Sequence, residues 1–208
     1  TDALSTSESV ASSATSAVAN IEDEASGTLS VTGAASEGSS LGISFSPSDP
    51  DGSISTVYQW QISSDNSSWS DIGGATGSSL SLASDQSDVG KYFRVTAVTT
   101  DSFGGTTNFT SSATSAVSNV NDSPTGSVVI SGTATEDQVL TASNNLADLD
   151  GLGSISYQWV RAGSDIGGAT GSTYTLTQAD VGSVMTVKAS YTDALSTSES
   201  VASSATSA

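Results

Sequence analysis

Apolar and polar residues alternate in short runs along most of the chain. Between residues 93 and 97, Phe, Val and Ala alternate with Arg and Thr, and residues 185–189 show the same pattern. A period of two sends alternate side chains to opposite faces of a strand, so the apolar set faces inward and the cations outward. No apolar period of about 3.6 residues continues far enough to indicate more than a little helix. In the second half of the chain the pattern predicts strands near residues 126–132, 138–143, 155–161, 172–177, 182–191 and 197–208.

Long stretches of the sequence occur twice. Thr1–Ala17 recurs unchanged as Thr192–Ala208, and Ser13–Val18 recurs as Ser112–Val117. Shorter stretches align the two halves: Tyr58–Trp60 with Tyr157–Trp159, Asp71–Ser78 with Asp165–Ser172, and Asp88–Gly90 with Asp180–Gly182. Self-similarity of this kind is the signature of a repeat architecture. Because the chain also starts at Thr1 without a signal peptide, we expect a fragment of a tandem array that carries two repeats and a duplicated segment.

Each repeat has the strand density of a β-sandwich. Six or seven short strands in about 95 residues are typical of an immunoglobulin-like sandwich, in which Trp60 and Trp159 would be core residues of the third strand. We predict an all-β protein of two tandem immunoglobulin-like sandwich domains joined by short acidic linkers. Its predicted parts are the last strand of a preceding repeat (1–18), a linker (19–24), repeat 1 (25–118), a second linker (119–124) and repeat 2 (125–208).

The duplicated ends raise a question of strand pairing. Thr192–Ala208 is predicted to be the last strand of repeat 2, paired with the preceding strand near Val184–Ser190. Its copy Thr1–Ala17 has no such strand upstream, and a lone strand leaves its backbone groups unsatisfied. That copy would be unpaired, would borrow an edge from a neighbouring molecule, or would open a sandwich with different boundaries. We favour the boundaries given above, because they put the acidic linkers between domains.

The charge of the chain is almost entirely negative. Charged residues make up 12% of the sequence, yet the formal net charge is -18. Such a chain repels nucleic acid and anionic membranes and attracts cations. The absence of Cys and His excludes disulfides, thiolate or imidazole zinc sites, and the commonest catalytic base and nucleophile. No apolar run approaches the roughly 20 residues of a membrane helix.

The acidic and amide residues lie where a sandwich would bring them together. When the first strand leaves the N-terminal linker, the loops after the second and sixth strands return to that linker, and the loops after the first and fifth strands lie beside the next one. The upstream joint would then contain Asn20, Glu22, Asp23, Asp49, Asp51 and Asp101. The central joint would contain Asn119, Asn121, Asp122, Asp148, Asp150 and Asp193, with Glu37, Asp85 and Asp88 reaching it from repeat 1.

Calcium is the cofactor that these joints predict. Two carboxylates about 4 Å apart repel by roughly 1 kcal/mol in bulk water and about 4 kcal/mol near a protein surface. The strand pattern places no cation in a joint; the four in the chain are Lys91, Arg94, Arg161 and Lys188. Calcium accepts about 6–8 oxygen ligands, whereas magnesium holds its water and demands stricter geometry. One Asp-x-Asp-Gly equally marks an ordinary turn, but it occurs in both repeats, at Asp49–Gly52 and Asp148–Gly151.

Several stretches carry a family resemblance: Tyr157–Trp159, Gly167–Gly171, Leu176–Gly182 and Val117–Asp122. The joints resemble those of cadherin-like repeats. More closely, the whole chain resembles the extender repeats of RTX adhesins, giant surface proteins that Gram-negative bacteria export by type I secretion. The resemblance implies an extracellular, calcium-stiffened module of the bacterial cell surface that contacts neighbouring repeats. Other domains of the parent would bind a distal surface or glycan. The glycine-rich nonapeptides that name the RTX class are absent from this sequence.

Two other function classes are open to the sequence. Trp69 and the polar insertion around it would suit a carbohydrate-binding module, although the ring would equally cover a sheet edge. Paired carboxylates also serve glycosidases, but here they lie at joints and imply no cleft. We expect a spacer rather than an enzyme, with no nucleic-acid partner and no direct insertion into a membrane.

Overall fold

The computed structural model describes residues 9–207, which form two β-sandwiches in tandem. The strands of repeat 1 are β1 (Ser30–Thr32), β2 (Ser40–Ser44), β3 (Ser55–Ser63), β4 (Ser70–Asp71), β5 (Ser79–Ser81), β6 (Tyr92–Thr100) and β7 (Thr106–Thr110). Those of repeat 2 are β8 (Val128–Ser131), β9 (Val139–Asn144), β10 (Ser156–Arg161), β11 (Ser164–Asp165), β12 (Thr173–Thr175), β13 (Met185–Thr192) and β14 (Ser198–Ala202). Among the described residues, one 3-10 turn at Gln178–Asp180 is the helical element.

Each sandwich packs a three-stranded sheet against a four-stranded sheet, and all the pairings are antiparallel. The strand orders are β1-β2-β5 and β4-β3-β6-β7 in repeat 1, and β8-β9-β12 and β11-β10-β13-β14 in repeat 2. This is an immunoglobulin-like order with a short extra strand on the four-stranded sheet. The β2–β3 and β6–β7 loops meet at the linker end of repeat 1, and in repeat 2 the N–H of Ala194 reaches the carbonyl of Asp150 at 3.2 Å.

Each repeat has its own core, built around one tryptophan. Trp60 and Trp159 are fully buried, as the sequence predicts. Their indole N–H groups donate to the carbonyls of Gly77 and Gly171 at 3.0 and 2.9 Å. Such a bond stabilises a buried indole, because the polar N–H then has a hydrogen-bond partner although water does not reach it. The two core clusters share no residue, so the sandwiches are separate packing units.

The strand prediction for repeat 2 is confirmed in number and order for β8, β9, β10, β12, β13 and β14. It missed the two-residue strand β11, which is too short to show any period. As predicted, β14 pairs with β13, from Thr192↔Ser198 to Lys188↔Ala202. This strand ends at Ala202, but the chain still follows the edge, because the Ser203 N–H donates to the Val187 carbonyl at 2.9 Å.

The N-terminal copy of the last strand lies partly outside the described residues, which begin at Ser9. Residues 9–19 are exposed and belong to no strand. The chain first pairs at Ser26, which forms an isolated bridge with Ser48. The described part of the copy is therefore unpaired within this chain, and the domain boundaries remain predictions.

Candidate metal centres

The upstream joint gathers three carboxylates from three segments. Ligand oxygens of Glu22, Asp51 and Asp101 all lie within 4.8 Å of one another, and both aspartates are buried. Hydrogen bonds hold the segments in place: the Asp23 N–H donates to Asp51 Oδ2 at 2.8 Å, and the Asp51 N–H donates to Asp49 Oδ1 at 2.8 Å. The linker, the β2–β3 loop and the β6–β7 loop thus present negative oxygens to one point.

Glu22 reaches this point across a glycine. A Cβ at Gly105 would collide with the Glu22 carboxylate, so the absence of a side chain makes the cradle in which that carboxylate lies. Desolvation, followed by the charges of Asp101 and Asp51, raises the pKa of Glu22 above its ordinary value. Both causes disfavour the charged form of the Glu22 carboxyl group.

The central joint repeats the backbone hydrogen bonds of the upstream joint. The Asp122 N–H donates to Asp150 Oδ2 at 2.8 Å, and the Asp150 N–H donates to Asp148 Oδ1 at 2.8 Å. Asp193 Oδ1 accepts two N–H groups of its own loop at 2.8 Å each, which fixes its side chain toward the linker. Asp101 is held in the same way in the upstream joint.

The two joints differ at the linker position that holds Glu22 in the upstream joint. Asn121 occupies the place of Glu22, and its amide turns away to donate to Glu199 Oε1 at 2.9 Å. Repeat 1 contributes a carboxylate to this joint: Glu37, which is 8% exposed, accepts the Val120 N–H on Oε2 at 3.1 Å. The central joint therefore draws carboxylates from both sandwiches.

Gln86 is the hub of the central joint. Its Nε2 lies 2.7 Å from Asn119 Oδ1, 2.6 Å from Asp150 Oδ1 and 3.5 Å from Glu37 Oε2. An amide nitrogen has two hydrogens to donate, so three acceptor oxygens converge on a group that can satisfy two. These oxygens come from repeat 1, the linker and repeat 2, and a cation among them would serve all three.

Four buried side-chain oxygens have no hydrogen-bond partner in the part of the chain that the structure describes. They are Glu37 Oε1, Asp101 Oδ2, Asp122 Oδ2 and Asp193 Oδ2, and all four lie in the two joints. The ion pairs found in residues 9–207, Arg161–Asp180 and Lys188–Asp165, include none of these acids. A buried charged oxygen without a partner is costly, so these atoms fit a divalent cation.

Other residues predicted for the joints are used differently. Asp85 Oδ1 accepts the Ser87 N–H at 2.9 Å, and Asp88 Oδ2 accepts the Ala83 N–H at 2.9 Å. Asn20 is exposed, and Asn121 bonds to Glu199 as described. Among residues 9–207, the predicted carboxylates that the structure brings within 4.8 Å of one another are Glu22, Asp51 and Asp101 of the upstream joint. The central joint has no such group of three carboxylates among these residues. There, hydrogen bonds through Gln86 and through the linker and loop backbone connect Glu37, Asn119, Asp122, Asp148 and Asp150.

Sequence reasoning missed Gln86 and Tyr191. Gln86 is one of several polar residues in its loop, and nothing in its spacing marks it. The buried Tyr191 hydroxyl donates to Asp148 Oδ2. Burial, followed by this bond, raises the pKa of Tyr191, so it stays a neutral donor that orients the Asp148 carboxylate.

Trp69 covers part of the four-stranded sheet of repeat 1. The Arg94 guanidinium carbon lies 4.3 Å from the centre of the Trp69 ring, a cation–π distance. One face of the ring is therefore taken by a protein group, which disfavours this tryptophan as an open platform for a sugar.

Comparisons with known proteins find similarity to solved structures only, at low sequence identity. No protein-family model matches it, and no curated protein matches it. A similar solved structure is described as a Ca²⁺-stabilised adhesin that helps an Antarctic bacterium reach out and bind ice. The two are 16% identical with a TM-score of 0.34, over 88% of this chain and 49% of that one. The chain thus spans about half of that structure, and at this level of similarity we base no functional argument on it.

Within residues 9–207, no helix has the length and apolar character needed to cross a membrane.

Proposed function

We propose that the chain is a structural extender module of a large bacterial cell-surface adhesin, and that calcium at its joints stiffens the tandem array. The observation that carries this proposal is the set of four buried carboxylate oxygens, three at the central joint and one at the upstream joint, that have no hydrogen-bond partner among residues 9–207. Buried charges in folded proteins are ordinarily paired or bound to metal. Within the part of the chain that the structure describes, the buried carboxylate oxygens that lack a partner lie in the two joints.

Calcium suits these donors better than other metals. The candidate ligands are carboxylates and an amide oxygen, and the chain has no Cys or His. Hard oxygen donors in this number match calcium, whose site tolerates about 6–8 ligands without strict geometry. Magnesium would keep several waters and use fewer of these oxygens.

Calcium would couple the two sandwiches because the ligands of the central joint come from both. Glu37 belongs to the β1–β2 loop of repeat 1, Asp122 to the linker, and Asp150 and Asp193 to loops of repeat 2. Without a cation these negative groups repel and favour a bent or open joint. With a cation their mutual repulsion becomes attraction to one centre, and the joint straightens and stiffens.

The proposed role of the parent protein, to hold a distal domain away from the cell, rests on a chain that is stiff, acidic and repetitive. We propose that the module is extracellular, contacts neighbouring repeats of its own chain and projects a distal domain that binds a surface or a glycan. We further propose that it has no enzymatic activity, no nucleic-acid partner and no inserted membrane segment. The acidic residues lie at joints, and a net charge of -18 opposes binding to phosphate backbones.

Small-angle X-ray scattering in calcium and in a chelator tests the proposal. In calcium the maximum dimension should match two sandwiches in line, and in chelator the distribution of dimensions should broaden and shorten. Isothermal titration should give dissociation constants on the order of 10⁻⁴–10⁻³ M, or tighter where many carboxylates share one ion. Scattering curves that are identical in the two buffers, together with no heat of calcium binding, would exclude this function.

A further inference from the structure

The two repeats differ at the hairpin that joins the third and fourth strands of each sandwich. In repeat 1 the connection between β3 and β4 runs through residues 64–69, whereas residues 162 and 163 alone connect β10 to β11 in repeat 2. Lys91, just before β6, lies beside the longer hairpin, and its counterpart in repeat 2 is Ser183. Repeat 2 forms the same sandwich with neither feature, so the fold itself requires neither.

A cavity of about 280 Å³ lies between this hairpin and Lys91. Ile62 gives it one apolar surface. Four serines line it as well: Ser63, Ser64, Ser68 and Ser70. Pockets for small molecules begin at about 300 Å³, so the volume suits a ligand with a single ring.

The hairpin is held in shape by the carboxylate of Asp65. Its oxygens accept the backbone N–H groups of Ser67 and Ser68 at 2.9 and 2.7 Å, and the hydroxyls of Ser63 and Ser68 at 2.9 and 3.0 Å. These bonds, led by that of the Ser68 N–H, lower the pKa of Asp65. The negative charge of Asp65 is thus taken up by donors of its own loop, and the cavity wall is preformed.

Lys91 is a cation without a carboxylate partner among residues 9–207. The chain has 22 acidic residues and 4 cationic ones, so a lysine is not left alone for lack of acids. Both cations of repeat 2 form ion pairs, at Arg161–Asp180 and Lys188–Asp165. Lys91 is half-buried and forms none. A half-buried ammonium group at a preformed cavity calls for an anionic group from outside the chain.

We propose that this cavity binds one uronic acid unit of an acidic polysaccharide. Lys91 pairs with the carboxylate of the sugar, the serines exchange hydrogen bonds with its ring hydroxyls, and Ile62 packs against its C–H groups. A small inorganic anion would leave most of these hydroxyls unused. An acidic peptide would bring several carboxylates to a single cation. A polyol with one negative charge fits both the charge and the polar lining.

The site does not use an aromatic platform. Trp69 stands between Ser68 and Ser70 in the sequence, but its ring turns to Arg94 while these two serines line the cavity. None of the lining residues is a candidate calcium ligand, so the inference does not rest on the proposed calcium function. At physiological salt the Debye length is about 8 Å, so the distant acids of the chain are screened from a sugar held at Lys91.

Titration of the whole chain with galacturonate, followed through its amide NMR signals in chelator and about 0.15 M salt, tests the proposal. The signals of Ser64, Ser68 and Lys91 should shift, with a dissociation constant on the order of 10⁻³ M. Galactose, which lacks the carboxylate, should bind about tenfold more weakly. The chelator removes calcium, which could otherwise bridge the sugar to the acidic joints.

Lys91→Ser introduces the residue that repeat 2 has at this place, and should weaken galacturonate binding about tenfold while leaving that of galactose unchanged. Its spectrum without sugar should keep the dispersion of the wild type. Lys188→Ser is the matched control, because it removes the same charge from a lysine that pairs with Asp165 in repeat 2. It should leave the binding of both sugars unchanged.

Three results would overturn the inference. One is the absence of shifts at the hairpin. Another is binding of galacturonate that neither exceeds that of galactose nor falls in Lys91→Ser. The third is a triglutamate peptide that shifts the same signals at lower concentrations than galacturonate, which would assign the cavity to an acidic peptide instead. None of these results bears on the calcium function, which is judged by scattering and titration in calcium.

Discussion

The N–H of Asp122 donates to Oδ2 of Asp150 at 2.8 Å, which ties the linker to the first Asp-x-Asp loop of repeat 2. The upstream joint has the same bond, from Asp23 to Asp51, at the same length. In each bond a neutral backbone N–H donates to a carboxylate oxygen. The bond holds the carboxylate in place but leaves most of its negative charge uncompensated. Each joint is therefore prearranged by its backbone, and a cation would find its ligands already oriented.

Asp150→Ala should remove calcium binding at the central joint and leave both sandwiches folded, because the side chain lies in a loop and contacts Gln86 and the linker rather than a core cluster. Titration should lose the heat of one class of site, and scattering in calcium should resemble that of the wild type in chelator. Asp71→Asn is the matched control, since Asp71 is an exposed acid that bonds to Gln61 away from both joints. Equal loss of calcium in the control would contradict the assignment.

Gly105→Ala should weaken calcium binding at the upstream joint without unfolding repeat 1. The added Cβ would occupy the place of the Glu22 carboxylate, the far end of a flexible side chain that can swing away. Gly73→Ala is the control, because a Cβ at Gly73 meets nothing within 4 Å. Calcium titration of both variants should show a loss for Gly105→Ala alone, and the thermal midpoint in chelator should stay within a few degrees of wild type. If Gly105→Ala binds calcium as tightly as the wild type, Glu22 is not a calcium ligand at the upstream joint.

Trp159→Ala should unfold or severely destabilise repeat 2, at a cost of roughly 3–5 kcal/mol for a fully buried Trp. Trp69→Ala should cost about 0.5–1 kcal/mol, the value of an exposed cation–π contact with Arg94. Chemical denaturation followed by circular dichroism would measure both, because Trp159→Ala leaves repeat 2 without a tryptophan whose fluorescence could report its unfolding. Similar losses in the two variants would mean that Trp69 has a larger structural role than its partly exposed position indicates.

Acid should selectively weaken repeat 2 through Asp180. Burial opposes its ionisation, but hydrogen bonds from Thr177, Arg161 and Tyr174 outweigh it and lower the pKa of Asp180 below 3.8. A lowered folded pKa contributes stability that is present above pH 3.8 and is lost as the pH falls through the folded value. Asp180→Asn should therefore lower the unfolding free energy at neutral pH, and its difference from wild type should shrink below pH 3.8. A difference that stays constant across this range would show that the charge of Asp180 is not the source of the stability.

Sequence patterns were sufficient to predict the longer strands of repeat 2 and to identify the acids that recur in both repeats, because both depend on local spacing. Period-two alternation located β13, and the repeated Asp-x-Asp-Gly located Asp51 and Asp150. The strands β4 and β11 have two residues each, so no period exists to detect.

The partners inside each joint depend on three-dimensional placement that spacing does not encode. Glu22 lies among the carboxylates only because Gly105, more than eighty positions later, has no side chain to block it. In repeat 2 Asn121 and Thr197 occupy these two places, and Asn121 turns to Glu199 instead. Gln86 reaches the central joint from the far end of repeat 1, a convergence that follows from the sandwich topology and not from its neighbours in sequence.

In the tandem array proposed above, the two hydrogen bonds on either side of Asn121 would limit how far the central joint extends under force. Val120 is held by Glu37 of repeat 1 and Asp122 by Asp150 of repeat 2, so one linker residue separates the two anchors. A pull along the chain passes through this single residue, and the linker has almost no slack to give up. An array of such joints would behave under tension as a nearly inextensible tether, which gains length only when a whole sandwich unravels.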